Sequence, residues 1–600
     1  MARKNVTQKI EPFLMAILSG RFTAITKEMS NALQRSARST VVNTARDFNC
    51  AVTDGQCRIV SLAEGLPMQV AAIHLIPKAV VELFEDDIHP GDVFLNNSPF
   101  YGNIHHADFA VCAPVFYKDK LQFFVINRAH QADTGAPIPT VFLPFAQTIY
   151  EEGLHFPCLR VQRDYKDIKD VIRMIKYRIR VSDQWYGDFM AQVGSLRVAE
   201  KRIIEMCDKY GVETLLAFVD QWQEYGKERM IAEIKKLPRG EWEGEVKHDP
   251  IPGLVPDGIT VRAKVAVDPE KGYFNVDLRN NDDQSPCGFN LGEASTHGAV
   301  LIGILNNLDP TIPHNDGAFS RIKIQMREGA VVGKSTFPAG TSVCTTDVVD
   351  RLINLVQSLM ANLGPPYGLA EAGSTMTASS SVVSGTDWRR GGAPFVNFLA
   401  IPGPGPGMYG FDGGLMDAIA ATGGAINIDS IEIDELKCPI IFDHNELVID
   451  TNGAGQWDGG TAATLIYGFR KDPGTVAWIL DEKVYPARGV LGGQSGRPCN
   501  VYKLDKKSGK QEELPSMAVL TITPEERIVS EAPGGAGYGD PLDRDPELVK
   551  WRVREGRVSL QRARDVYGVI LDTSEEQYRV DYEKTNKLRT QLKKERDKTK

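Results

Sequence analysis

Residues 95–133 read LNNSPFYGNIHHADFAVCAPVFYKDKLQFFVINRAHQAD. Two runs inside this stretch, 109–116 (FAVCAPVF) and 121–127 (LQFFVIN), are apolar and rich in strand formers. The polar Tyr117-Lys118-Asp119-Lys120 between them reads as a hairpin turn. A hairpin brings its outer ends together. His105, His106 and Asp108 precede the first run, and His130 and Asp133 follow the second. Pairing of the two runs therefore gathers these residues around one point. Imidazoles and carboxylates at the ends of buried strands are costly unless they pair with each other or bind an ion. Two imidazoles with one or two carboxylates suit Mn, Fe or Zn better than Ca or Mg. Ordinary His/Asp hydrogen bonds in surface loops satisfy the same spacing, and spacing does not choose between His105 and His106.

The rest of the chain sets bounds on this reading. Its 600 residues can bury a large core and predict two or three domains. Hydrophobic content of 42% and charged content of 24% are those of a globular protein. A net charge of −9 argues against a general nucleic-acid binder. The nine cysteines are scattered singly, as expected of a reduced cytosolic protein. The apolar run at 13–18 follows Glu11 and is too short for a signal peptide, and no stretch approaches a membrane span in apolar length. The expectation is a cytoplasmic protein with neither membrane nor nucleic acid as a partner.

Residues 8–44 read as helix, with Phe13, Ile17, Phe22, Ile25, Met29 and Leu33 at three- and four-residue steps. ARDFNCAVTDGQCRIVSL follows, two short strands around Thr-Asp-Gly. Asp47 stands where helix gives way to strand, the usual place of a cap or turn residue. Residues 67–88 are helical again, and 135–157 are loop-like, with Glu151, Glu152 and His155 as further polar candidates. Residues 160–236 carry the period of two or three amphipathic helices, whose basic residues read as solvated faces. From Gly240 onward GEWEGEVKH, TVRAKVAVD and YFNVDLRNN alternate at period two. Between 286 and 475 the chain is rich in Gly, Ser and Pro, as in TNGAGQWDGGTAA. Such glycines suit loops that pack closely around a channel, and equally a loop-rich β architecture.

The fold class predicted is α+β: a mixed, β-rich multidomain protein with an inserted helical region and Gly-rich loops. Its expected parts are a metal-site domain at 1–158, a helical segment at 159–237, a β-rich domain at 238–545, and a helical end with a charged tail at 546–600. Gly333-Lys334-Ser335 imitates the end of a phosphate loop, but the glycine required five residues earlier is Glu328 and no helix pattern follows. The run 533–539 (PGGAGYG) lacks the strand–turn–helix setting of a dinucleotide fingerprint. Serine-nucleophile signatures of the G-x-S-x-G type are absent.

Asn97-Ser98-Pro99-Phe100-Tyr101-Gly102 followed by His105-x-x-Asp108 resembles the Asn-Asp-Pro-Tyr…His-x-x-Asp signature of the hydantoinase B family. That family takes in 5-oxoprolinase domains, ATP-dependent lactamases and the metal-binding large subunits of acetone and acetophenone carboxylases. The likeness runs nearly end to end, through Asp47, His130, Glu152-Gly153-Leu154, LDPTIPHNDGAF (308–319), APGGAGYGDPLDRDPE (532–547) and SLQRARDVYGVIL (559–571).

The resemblance implies a divalent metal (Mn, Zn or Fe) held by Asp47, His105, Asp108 and His130, choosing His105 over His106. His105, His130 and Asp133 are the catalytic groups it points to, with Asp133 orienting His130. It also implies a hydantoinase A-like partner that binds the ATP, with room for a small third subunit, and a small-molecule carbonyl substrate phosphorylated on oxygen. Two positions depart from the family pattern: its Asp after Asn97 is Ser98 here, and its Arg-Gly-Gly is Asp458-Gly459-Gly460. These departures and the separate-subunit length favour the ketone carboxylase branch, in which a phosphorylated enol meets carbon dioxide formed from bicarbonate through carboxyphosphate. The alternative is an ATP-dependent hydrolase that opens a hydantoin, 5-oxoproline or lactam. A non-catalytic scaffold is the third reading, and the intact Asp47, His105, Asp108 and His130 argue against it.

Overall fold

In a computed structural model the chain is described over residues 9–599, apart from 64, 71, 417–418 and 575–576. The two apolar runs form the middle of a seven-stranded antiparallel sheet. In chain order its strands are β1 (Phe48–Asp54), β2 (Ile59–Leu62), β3 (Val93–Asn96), β4 (Asp108–Tyr117), β5 (Lys120–His130), β6 (Leu159–Arg163) and β7 (Lys166–Asp167). Their spatial order is β2-β1-β5-β4-β3-β6-β7. The β4–β5 turn has two central residues, Lys118 at φ 49° and Asp119 at φ 60°, both left-handed as the twist of a two-residue hairpin demands.

Register then places the chemistry. Asp108 is paired with His130. On the other side of β5, Phe48 pairs with Ala129, and the His130 N–H donates to the Asp47 carbonyl at 3.0 Å. Asp47, His130 and Asp108 thus sit side by side at one end of three neighbouring strands.

One face of this sheet is covered by long helices. Phe22 of the helix Pro12–Ser36 stacks on Phe218 of the helix Val212–Ile234 at 5.6 Å and meets Phe123 of β5 at 5.8 Å. Asn127 of β5 donates to the Gln192 carbonyl and Ser195 Oγ of the helix Ser182–Tyr210, both at 2.8 Å. The opposite face, with Phe94, Cys112, Phe124 and Ile126, packs on Ile76, Ala79 and Val80 of the helix Leu75–Phe84.

The helix expected over 8–44 is broken: Pro12–Ser36 ends, Ala37 is extended, and Thr40–Asn43 starts afresh. The buried Asp188 carboxylate takes the N–H groups of Arg38 and Ser39, diverting the backbone there. The stretch expected helical over 67–88 is likewise two helices, Pro67–Val70 and Leu75–Phe84. The window Pro67–Phe84 is, among the described residues, the one long and apolar enough to cross a membrane, and it is about half buried. The helical region begins later than its start at 160 predicts, because β6 and β7 occupy that start as edge strands. Three helices follow: Lys169–Arg178, Ser182–Tyr210 and Val212–Ile234.

A second sheet contains Gly240–Lys247, Thr260–Asp268, Tyr273–Asp277 and the parallel Ile322–Gln325. In Thr260–Asp268 every second residue is buried, the alternation that the sequence displays. The helices Glu293–Leu305 and Asp347–Leu359 cover it, and one apolar core runs from the first sheet through these helices to the second. Two further antiparallel sheets, of four and five strands, build the C-terminal half.

Between the strands of that half lies a layer of glycine-rich, extended segments bonded to one another. Gly453 N–H donates to the Gly535 carbonyl at 2.8 Å, Gly535 to Gly460 at 3.1 Å, and Gly460 to Gly405 at 2.9 Å. A Cβ on Gly459 would run into the Gly535 carbonyl, and one on Gly535 into that of Gly405. Here glycine is required by the closeness of backbone to backbone. Gly333-Lys334-Ser335 is irregular, and Lys334 pairs with the half-exposed Glu293 at 3.2 Å. The run 533–539 belongs to the glycine layer.

Candidate metal centre

β1, β4 and β5 deliver Asp47, Asp108 and His130, and the loop before β4 adds His105. All four side chains are buried or nearly so. His105 Nδ1 faces the Ser342 carbonyl at 2.9 Å, with Thr345 Oγ1 at 3.2 Å. Its Nε2 lies 3.0 Å from Asp108 Oδ1, and the same oxygen is 3.0 Å from His130 Nδ1. Asp47 Oδ2 is 3.9 Å from His130 Nδ1, and its Oδ1 accepts from Gln69 Nε2 at 2.6 Å. One ligand atom each from His105, Asp108 and His130 lies within 4.8 Å of the others.

The donor set is short of protons. A carbonyl only accepts, so His105 Nδ1 must carry the ring proton. Nε2 then faces a carboxylate oxygen 3.0 Å away, a contact that needs either a second ring proton or a cation between the two. His130 repeats the pattern: with its proton on Nδ1 for Asp108, the buried Nε2 has no partner among the described residues. Two imidazoles converging on one buried carboxylate, one of them with an unpartnered ring nitrogen, suit a cation among them, and two nitrogens with two carboxylates suit Mn, Fe or Zn.

The charges are tuned to match. Burial raises the Asp108 acid, but His105 and His130 more than offset this and hold it ionised below the usual carboxylate range. Burial pushes Asp47 up to about 6, against the pull of His130, His105 and the Gln69 amide. His130 is raised despite its burial, by the Asp108 hydrogen bond and by Asp47. Beneath them Arg128, two residues before His130 on β5, is wholly buried. It donates to the Gln69 carbonyl at 2.6 Å and has no ion-pair partner among the described residues. Burial lowers its pKa to about 10. Arg128 thus holds Gln69, and Gln69 holds Asp47.

The other candidates lie elsewhere. His106 turns away from the cluster, with Nε2 3.3 Å from Thr134 Oγ1 and Nδ1 3.4 Å from Glu152 Oε2. Glu152, pushed up to about 8 by burial, accepts the N–H groups of Thr341 and Ser342 at 2.5 and 2.7 Å. It thereby anchors the strand of loop whose carbonyl orients His105. Asp133 does not make the expected contact with His130. Its carboxylate accepts from Arg180 N at 2.6 Å, Arg180 Nη1 at 2.9 Å and Gly135 N at 3.0 Å, because the chain turns away after β5. Asp108 makes the contact with His130 instead. His155 bonds Ser98 Oγ at 2.7 Å, and Glu151 caps its own short helix. Neither they nor Ser98 line the cavity at the cluster.

That cavity measures about 60 Å³ and is lined by Asp47, His105, Asp108 and His130 together with Gln69, Thr345, Thr346, Thr375 and an apolar remainder. Phe142 and Phe398 stand 5.7 and 5.8 Å from the His130 ring and 5.4 Å from each other. Gln69, Ser342, Thr345, Phe142 and Phe398 are not singled out by sequence. They reach the site from the helix Pro67–Val70, from the end of the strand Ala393–Phe398 and from loops, and carry no spacing signal of their own.

Residues 11–541 match the model of the hydantoinase B/oxoprolinase family. The beta subunit of the caprolactamase of Pseudomonas jessenii is 27% identical, over 94% of this chain and 97% of its own. One subunit of a putative D-/L-hydantoinase of Pseudomonas sp. (strain NS671) is 29% identical, over 97% and 98%. The 5-oxoprolinase of Saccharomyces cerevisiae is 24% identical over 90% of this chain, which spans only 43% of that longer protein. Two solved structures share the fold. They are the ATP-dependent caprolactamase from Pseudomonas jessenii (TM-score 0.88, 24% identical, 97% of this chain and 100% of that one) and nucleotide-free acetone carboxylase (TM-score 0.85, 19% identical, 98% and 84%).

Proposed function

Because the chain belongs to the hydantoinase B/oxoprolinase family, we propose that it is the metal-bearing subunit of an ATP-dependent enzyme that opens a cyclic amide. The observation that carries the metal is the convergence of His105 Nε2 and His130 Nδ1 on one buried oxygen of Asp108, each at 3.0 Å. Asp47, His105, Asp108 and His130 would hold the ion. When bound, it supplies a Lewis acid that stabilises negative charge on oxygen or lowers the pKa of water. The chain's own contribution is orientation: the Ser342 carbonyl sets His105, Gln69 sets Asp47, and Phe142 and Phe398 shield His130 from bulk water.

Two relatives that align over nearly the whole chain are named for caprolactam and hydantoin, both cyclic amides. In hydrolysis water adds to the carbonyl carbon, the C–N bond breaks and the ring nitrogen takes up a proton. The sequence offers no phosphate loop, so ATP is assigned to a hydantoinase A-like partner. The naming of both relatives as one subunit, and the small share of the yeast 5-oxoprolinase that this chain spans, support such a partner.

Ketone carboxylation is the second reading, favoured by the fold shared with acetone carboxylase. The departures that incline the sequence towards it do not touch the cavity. Ser98 pairs with His155, and Asp458 accepts from Tyr567 at 2.9 Å beside Arg544. The deciding experiment uses the protein purified with its partner, with elemental analysis for Mn, Fe and Zn. ATP consumption with a cyclic amide alone supports the proposal. Consumption that requires both a ketone and bicarbonate replaces it with the carboxylase.

A further inference from the structure

The lining of the cavity separates by chemistry. Its polar groups are the four ligand side chains, Gln69 and three threonines. Everything else is apolar, chiefly Met68, Ile104, Phe142, Met376, Phe398 and Ile426. No Lys or Arg is among the described lining residues. The nearby buried cation, Arg128, is committed to the carbonyls of Gln69 and Gly102.

We propose that this site takes a carbonyl compound with an aliphatic body and no carboxylate, selected by Phe142, Met376 and Phe398. The inference rests on reading the cavity as the reaction site, and it applies to an amide and to a ketone alike. A charged group on the reacting oxygen would lie at the metal ligands. A carboxylate elsewhere on the substrate would lose its water against Phe398 or Met376 and find no counter-charge. The charge of a divalent ion held there is offset by Asp108 and, when ionised, by Asp47, so the ion leaves no surplus positive charge for it. The neutral ring or chain, by contrast, gains from burial against the same wall.

Two matched pairs test this: 2-pyrrolidinone against 5-oxoproline, and acetone against pyruvate. Each acid is the neutral compound with a carboxylate added or put in place of a methyl group. With the chain and its ATP-binding partner, kcat/KM for ATP-dependent phosphate release should favour the neutral member by roughly a hundredfold or more. Calorimetric binding to the same complex should rank the pair in the same order. Phe398→Arg should shrink or invert that ratio by supplying a counter-charge, with metal content unchanged. Met376→Arg makes the same test should the first variant not fold.

An acid bound or turned over as well as its neutral partner overturns the proposal, as does a ratio that neither folded arginine variant moves. If only the acetone pair is processed, with bicarbonate, the cyclic-amide reading fails while the acetone–pyruvate ratio still judges this one. Binding of no member of either pair overturns both.

Discussion

His105 Nδ1 points at the carbonyl of Ser342, 237 residues further along the chain, and that one bond decides which ring nitrogen faces Asp108. Removing a ligand is the direct check: His130→Ala should lose bound metal and ATP-dependent activity while its circular dichroism stays native. Full metal occupancy in that variant would sink the ligand assignment. Gln69→Ala acts one bond further out, freeing Asp47, and should weaken metal binding by about 10- to 100-fold in a chelator competition.

Glu152 carries a pH prediction. Its folded pKa of about 8 lies above its ordinary value of 4.5, so the folded chain holds a proton that the unfolded chain releases first. Its contribution is complete below the unfolded pKa and fades as pH rises towards 8. The loss is on the order of 1 kcal/mol per pH unit across that window. Glu152→Gln keeps an oxygen for the Thr341 and Ser342 N–H groups and should flatten this part of the stability profile. An unchanged slope in urea titrations between pH 5 and about 8 would assign it to another group. At this scale Asp108 and His130 are legible because a hairpin fixes where its ends meet, while the choice of His105 over His106 comes from the family resemblance. Asp47 emerges only from the family resemblance, and Gln69 and Ser342 are invisible because nothing local marks a hydrogen bond made between separate elements.

The β4–β5 turn shows how an element can be less than optimal where the site depends on it. Lys118 and Asp119 both adopt left-handed backbone without being glycine or asparagine. Replacing the pair by Asn-Gly should stabilise the hairpin by about 0.5–1 kcal/mol, read as a raised urea midpoint at constant slope. A lowered midpoint would mean that the Lys118 or Asp119 side chain does more than fill the turn. Elements with a strong period are readable in advance, as in Thr260–Asp268 with its alternate burial. β6 and β7 escape notice because LRVQR and KD are short edge strands rich in charge, adjoining a helical pattern. The break after Ser36 escapes because its cause is a carboxylate on another helix, Asp188, and not a local breaker.

Across the whole molecule, the C-terminal segment is fastened to the glycine layer by ions. Arg544 meets Asp412 through two bonds of 2.7 and 2.6 Å, Arg552 reaches the same carboxylate at 2.7 Å, and Tyr567 donates to Asp458. Asp412→Ala strands the buried Arg552 guanidinium and leaves Arg544 with Asp458 at 3.5 Å as its carboxylate, and should cost about 3–5 kcal/mol in urea unfolding. Metal content per folded molecule should not change, since none of these residues lines the cavity. A loss below about 1 kcal/mol would mean that water reaches the arginines. The glycine abundance is plain in the sequence, but its arrangement is not, because composition does not reveal which backbones lie against each other.

That arrangement has a consequence for inheritance. Every base change that alters a glycine codon's meaning installs a side chain or a stop, and at Gly459 or Gly535 the first atom of any side chain collides with a neighbouring carbonyl. The layer is therefore a stretch of gene in which amino-acid changes at such glycines are damaging although none of them lines the cavity. Disabling alleles should accumulate there as readily as at the histidines.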